Sequence, residues 1–355
     1  MFKMTLASAS IRAPVLAALG AAALFGASTP FAKQLVGDIS PILLAGLLYL
    51  GSGVGLSLIR LLRNRSGEST AIPAGDWPWL AGAIVFGGVL GPALLMFGLT
   101  RTSAASASLL LNLEAVLTAV LAWVAFKEHA HRRTVIGMLL IVAGGVVLSW
   151  PRADTASGGL GPLMIAGACL CWAIDNNLTR KISAGDALFI AAAKGLVAGA
   201  VNIGLASLAE PLLPAWPLVI AAMIVGWLGY GISLVLFVLA LRGLGTARTG
   251  AYFSTAPYVG ALIAIAIFGE SVEPALLISG ALMAVGVWLH LTEHHQHEHT
   301  HEVMTHAHSH SHDDHHQHAH DFSWDGSEPH SHAHRHAPLT HLHAHFPDIH
   351  HRHRH

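Results

Sequence analysis

Before residue 292 the chain carries ten mostly apolar stretches, each close to the length a helix needs to cross about 30 Å of hydrocarbon. They run 14–33, 41–61, 78–99, 103–126, 134–150, 161–179, 187–208, 217–241, 248–269 and 274–291. The chain is 53% hydrophobic and only 11% charged, where a soluble domain has about 25% charged residues, so lipid is its main solvent. A soluble fold is excluded. Short cytoplasmic loops collect Lys and Arg. With the N-terminus inside, twelve such residues, from Lys3 to Arg248, fall on the inward side, against Lys33, Arg101 and Arg152 outside. Ten spans then put both termini in the cytoplasm of a multi-pass protein of the plasma (bacterial inner) membrane. The first segment also has the layout of a signal peptide, with Lys3 and Arg12 ahead of the apolar run Val15 to Phe25. Its counterpart deeper in the chain argues for a retained span.

That counterpart belongs to an internal repeat. The segment Ala122 to Glu128 is echoed by Ala264 to Glu270, Gly137 by Gly280, Thr102 by Thr246, and Phe25 to Lys33 by Trp172 to Arg180. The offsets of 142 to 147 residues divide the apolar region into two halves of five spans. An odd number of spans per half sets the halves in opposite orientations, with a central site expected where they meet. The expected fold is all-α, ten transmembrane helices in two inverted repeats followed by a disordered tail. Its divisions are an N-terminus over 1–13, a first half over 14–150, a linker over 151–160, a second half over 161–292 and a tail over 293–355.

The order of these motifs resembles the drug/metabolite transporter superfamily, in its EamA-type branch. The carrying residues are Gly26 to Lys33 in span 1, Phe126-Lys127-Glu128 then Gly137 around spans 4 and 5, and Tyr252 to Pro257 then Phe268-Gly269-Glu270 in span 9. The resemblance implies a central substrate cavity and export of amino acids, related metabolites or drugs. It also marks Tyr252 and Pro257 as candidate cavity residues. One departure stands out: where the second half has Pro257, and the family commonly has proline, span 4 has Glu114. This substitution is expected to remove a helix kink and to add a carboxylate at the same place.

A charge at the bilayer centre costs at least about 2.5 kcal/mol on insertion scales, so each one needs a reason. Glu114, with Asn112 beside it, reads as a ligand for a substrate amine or as a proton-coupling carboxylate, since a desolvated acid can exchange protons near neutral pH. The alternative is a packing role, paired with a lysine or hydrogen-bonded between helices. Asp175, Asn176 and Asn177 read either as the polar lining of an inner vestibule or as an interfacial helix end. Lys194 has no acid three or four positions away on its own helix, so its partner must be Asp175 or Glu114. Glu128 and Glu270 close spans 4 and 9 and are expected to make helix-end contacts. Trp77, Trp79, Trp150, Trp216 and Trp288 lie where interfacial anchors do. Cys169 and Cys171 point to different faces of a helix, and no disulfide is implied.

The last 63 residues are of another kind, holding 24 of the 27 histidines. The pattern is His-x-His, and the almost complete absence of apolar residues predicts disorder. Candidate metal ligands are His294, His295, His297, His299, His301, His306, His308, His310, His312, His315, His316, His318, His320, His330, His332, His334 and His336. Neutral imidazoles at this density suit Zn, Ni, Co or Cu in labile sites. The spans hold no histidine at mid-depth, which ranks metal as modulator above metal as cargo. No cofactor is required. No nucleophile–base arrangement or phosphate-cradling motif is present, so neither an enzyme nor an ATP-driven pump is expected. The leading reading is a secondary transporter exporting a small organic metabolite, amino acid or drug. The alternatives are a transition-metal efflux permease and a membrane-anchored metal buffer or sensor. Expected partners are the lipid bilayer, a small-molecule substrate and divalent metal ions, with no nucleic acid; a homodimer is left open.

Overall fold

The computed structural model describes residues 3–63, 74–126, 132–150, 159–182, 186–209 and 214–292, and in the tail 296–301, 305–310, 330–335 and 339–344. These fall in two units, residues 1–293 and 294–355. With no water in the bilayer core, backbone groups must bond within their own segment, so the apolar stretches become helices. They are α1 (Lys3–Leu35), α2 (Pro41–Arg63), α3 (Trp77–Ala83), α4 (Gly91–Leu99), α5 (Ala104–Leu110), α6 (Leu113–Phe126) and α7 (Arg132–Ser149) in the first half. The second half has α8 (Leu160–Ile182), α9 (Ala187–Ala209), α10 (Trp216–Gly226), α11 (Ser233–Phe253), α12 (Ala256–Ala266) and α13 (Pro274–Leu291).

Among the described residues four spans are interrupted, in symmetric pairs. A π-helical segment, Ile84–Leu90, joins α3 to α4 in span 3, and another, Trp227–Ile232, joins α10 to α11 in span 8. Span 4 breaks at Leu111-Asn112 between α5 and α6, and span 9 at Ser254-Thr255 between α11 and α12. Both pairs sit 143 residues apart. Among the described residues seven spans are long and apolar enough to cross a membrane, α12 and α13 are shorter apolar helices, and α8 brings the total to ten.

One expectation about span 4 is overturned. The break persists although the proline is absent, and Glu114 takes the place of Pro257 at the second position of the following helix. Backbone bonds at the break shorten to three-residue spacing, Asn112 N–H to Leu109 O at 3.1 Å and Glu114 N–H to Leu111 O at 3.1 Å. The Asn112 amide also donates to Leu109 O at 2.9 Å, so a buried asparagine supports the turn that proline supports elsewhere. A second difference lies at the junction of spans 8 and 9, where α11 is helical through residues 242–247. That stretch has no proline to end a helix.

Small residues set the packing. A Cβ on Gly195 would lie 2.6 Å from Gly53 Cα, and one on Gly199 2.6 Å from Leu50 N, so α2 and α9 meet backbone to backbone. The larger core gathers Leu44, Leu48, Leu95, Met96, Leu99, Leu110 and Ile165, and a second cluster joins Leu109, Met138, Ile141, Ala264 and Met283. Cys169 and Cys171 are buried free thiols. The five anchor tryptophans are exposed.

The tail forms its own unit. Among its described residues β1 (Gln296–His301) pairs antiparallel with β4 (Leu339–Ala344), and β2 (Thr305–His310) with β3 (His330–Arg335). Strict His-x-His alternation has the two-residue period of a strand. The register sets His297 opposite His343, His299 opposite His341, His306 opposite His334, His308 opposite His332 and His310 opposite His330.

Candidate functional site

Glu114 lies ten residues along span 4 from Ala104, about 15 Å at 1.5 Å per residue and half the thickness of the hydrocarbon layer. The break at Leu111-Asn112 makes it a first-turn residue of α6, where the positive end of the helix dipole favours a carboxylate. Asn176 of α8 donates to Glu114 Oε1 at 2.9 Å and to Thr118 Oγ1 at 3.3 Å. Glu114 is half-buried and Asn176 is exposed. An exposed asparagine bonded to a mid-depth carboxylate requires water beside it, since acyl chains leave polar groups unsatisfied at several kcal/mol each.

Lys194 finds its partner in Asp175, settling the alternatives that its own helix left open. Asp175 is buried, and its other oxygen accepts from Thr179 at 2.9 Å. The pair is self-contained. Arg60 pairs with Asp186 at 3.7 Å, and among the described residues no cation lies within salt-bridge distance of Glu114. Asn177 bonds Ala173 O at 2.8 Å and Thr118 O at 3.4 Å. Asn176, Asn177, Thr118 and Thr179 thus form a polar track from Glu114 toward the C-terminal ends of α6 and α8.

Three further polar residues are not singled out by the sequence. Pro92, four residues after Gly88 and five after Gly87, has no N–H to offer their carbonyls. Gly87 O accepts from the Tyr49 hydroxyl at 2.6 Å and from Trp172 Nε1 at 3.0 Å, and Gly88 O accepts from the Asn202 amide at 3.2 Å. Residues of spans 2, 6 and 7 therefore converge on one irregular turn of span 3. The adjacent glycines 87 and 88, echoed by Gly229 and Gly231, were the available signal. Gly87 lies against Asp175, so the ion pair rests on this turn.

An aromatic cluster from both halves completes the surroundings. Tyr49 and Tyr230 are 5.6 Å apart between ring centroids, Tyr230 and Phe25 5.9 Å, Phe25 and Phe253 5.4 Å, and Phe253 and Phe237 4.9 Å. In span 9 it is Phe253, next to the candidate Tyr252, that enters the cluster. Tyr252 lends its carbonyl to Thr255 Oγ1 at 2.6 Å. Pro257 occupies the first turn of α12, where its missing N–H costs nothing. Of the other candidates, Asn112 is buried under the break, and Glu270 accepts from Ala104 N–H at 2.7 Å and Ala105 N–H at 2.8 Å, a helix-end contact. Glu128 lies outside the described residues, as do His294, His295, His312, His315, His316, His318, His320 and His336. Among the described residues no three His, Cys, Asp or Glu side chains converge on a metal position.

The profile of the EamA-like transporter family matches residues 12–150 and matches again over 159–292. The chain belongs to the EamA-like transporter family. An uncharacterized transporter of Methanothermobacter thermautotrophicus is 29% identical over 283 residues, covering 75% of this chain and 82% of the relative. The uncharacterized transporter YyaM of Bacillus subtilis is 25% identical over 287 residues, covering 76% and 90%. A solved crystal structure shares the fold at a TM-score of 0.59 and 21% identity, covering 78% of this chain and 94% of that one. The two profile matches cover the two inverted halves of this EamA-like transporter, and the mid-depth polar residues lie where those halves meet.

Proposed function

We propose that this EamA-like transporter is a secondary carrier that exports a small organic solute bearing a protonated amine, with Glu114 binding proton and cargo in turn. The observation that carries the reading is a carboxylate with no cation in contact: Asp175 takes the direct contact with Lys194, whose charge reaches Glu114 only through space, and the amide of Asn176 is the side chain bonded to Glu114. An acid at mid-depth without a cation needs a proton or a positively charged ligand for most of its cycle. The aromatic rings of Tyr230, Phe25 and Phe253 suit the apolar body of such a cargo and the face-on approach of a cation. In proteoliposomes loaded with candidate amines, Glu114→Gln is expected to lower efflux driven by a proton gradient by about a hundredfold, the scale of losing a charge-assisted contact. Efflux equal to the parent would remove Glu114 from this role.

The histidine tail is proposed to bind Zn, Ni, Co or Cu and to modulate the carrier. Five His–His pairs stand opposite each other in the backbone register of the two ladders, and neutral imidazole at this density suits these metals. A chain ending at Thr292 is expected to transport at the parental rate and to lose all response to added Zn²⁺, read in the same efflux assay. Parental Zn²⁺ inhibition or activation in the shortened chain would place the metal effect in the membrane unit.

A further inference from the structure

The two ends of the membrane unit are built differently. From Glu114 toward the ends of α6 and α8, the polar side chains Thr118, Asn176, Asn177 and Thr179 are partly exposed. In the other direction lie Ala104, Ala105, Ala107, Ser108, Leu109 and Leu110, all buried. Beyond them the turn joining α4 to α5 is gripped from both sides. Lys33 of α1 donates to Leu99 O, at the negative end of α4. Glu270, following α12, accepts from the first two amides of α5, at 2.7 and 2.8 Å. The third amide is met by the Ser103 hydroxyl at 3.1 Å, so the first turn of α5 has no free donor.

Glu270 is aimed at that turn by its neighbours. Gly269 sits in the left-handed region at φ 68°, which ends the helix and turns the chain back. The Glu270 N–H then reaches Ala264 O at 3.2 Å. Phe268 meets Phe31 edge to face at 5.3 Å between centroids. Glu270 and Phe268 come from the second half, and their partners Ala104, Ala105 and Phe31 from the first. A fold whose halves move against each other must break these contacts to open this end.

We infer that Glu270 is the latch that holds this end of the transporter shut, with Lys33 steadying the turn it grips. The structure is then the form open toward the polar track. The latch rests on the family's transport fold and not on Glu114, so a silent Glu114→Gln leaves it standing.

The test uses two reporters in the full chain, each in a Cys169→Ala/Cys171→Ala background. Ser108→Cys lies one turn inside the latch, at a buried hydroxyl without a hydrogen-bond partner, and Thr118→Cys lies on the track. Each is reacted with a membrane-impermeant thiol reagent added from its own face of the membrane. Glu270→Ala is expected to raise Ser108→Cys labelling about a hundredfold, the scale of two lost charge-assisted hydrogen bonds, and to lower Thr118→Cys labelling in parallel. Glu270→Gln, which keeps one acceptor and is the milder change, is expected to fall between. The opposite movement of the two reporters is the signature of a latch; any other pattern, including a rise at both sites, overturns it.

Discussion

Replacing Lys194 with methionine is expected to destabilise the transporter by about 3–5 kcal/mol, the cost of leaving one member of a buried ion pair alone. Asp175 is 5% exposed and sits between the irregular turn of span 3 and α9. With Lys194 gone, Thr179 is its remaining side-chain partner among the described residues. The double variant Asp175→Ala/Lys194→Met removes both charges, and because an apolar pair often matches a buried salt bridge, it should regain most of the loss. Thermal unfolding in one detergent, compared across the parent, both single variants and the double variant, measures the coupling. A double variant as unstable as the sum of the singles would show that the pair contributes nothing beyond its separate groups.

The second large effect is expected from a single methyl group. A Cβ at Gly87 would lie 1.9 Å from Asp175 Oδ2 and 2.2 Å from its Cγ, far inside contact distance. The carboxylate cannot withdraw without leaving Lys194 or Thr179. Gly87→Ala should therefore cost at least about 3 kcal/mol, from overpacking together with the disrupted pair. In the Asp175→Ala/Lys194→Met background Oδ2 and Cγ are gone and only the Cβ at position 175 remains close, at 2.7 Å, so the same methyl should cost clearly less than in the parent. Equal losses in the two backgrounds would mean that Gly87 serves the turn itself and not the carboxylate.

These residues show what could be read from the chain before its fold was known. The ten spans and their inverted halves were legible because lipid permits few alternatives to a helix, and because motifs 142 to 147 residues apart repeat in order. Lys194 announced a need for a distant acid, since its own helix offers none at the right spacing. Which acid was not legible, because the choice depends on α9 crossing α8 beside a π-helical segment, and a wide turn changes which faces meet. The break in span 4 was hidden for a related reason: proline is the usual signature, and Asn112 supports the same turn through its side chain. Phe253 rather than Tyr252 joins the aromatic cluster, since neighbouring positions on a helix point about 100° apart and the sequence does not fix the phase.

The wide turns in spans 3 and 8 have one more consequence. A π turn accommodates one residue beyond the α-helical count, and each residue carries about 100° of rotation about the helix axis. Everything downstream in span 3 is phased by that extra residue, including the inward-facing Leu95, Met96 and Leu99. Losing a single position from the segment 84–90 would straighten the rod and swing those side chains from the protein interior to the acyl chains. A loop of this transporter can change length without turning the helix that follows it, whereas the length of these two short segments is fixed by the angular bearing of all that follows them.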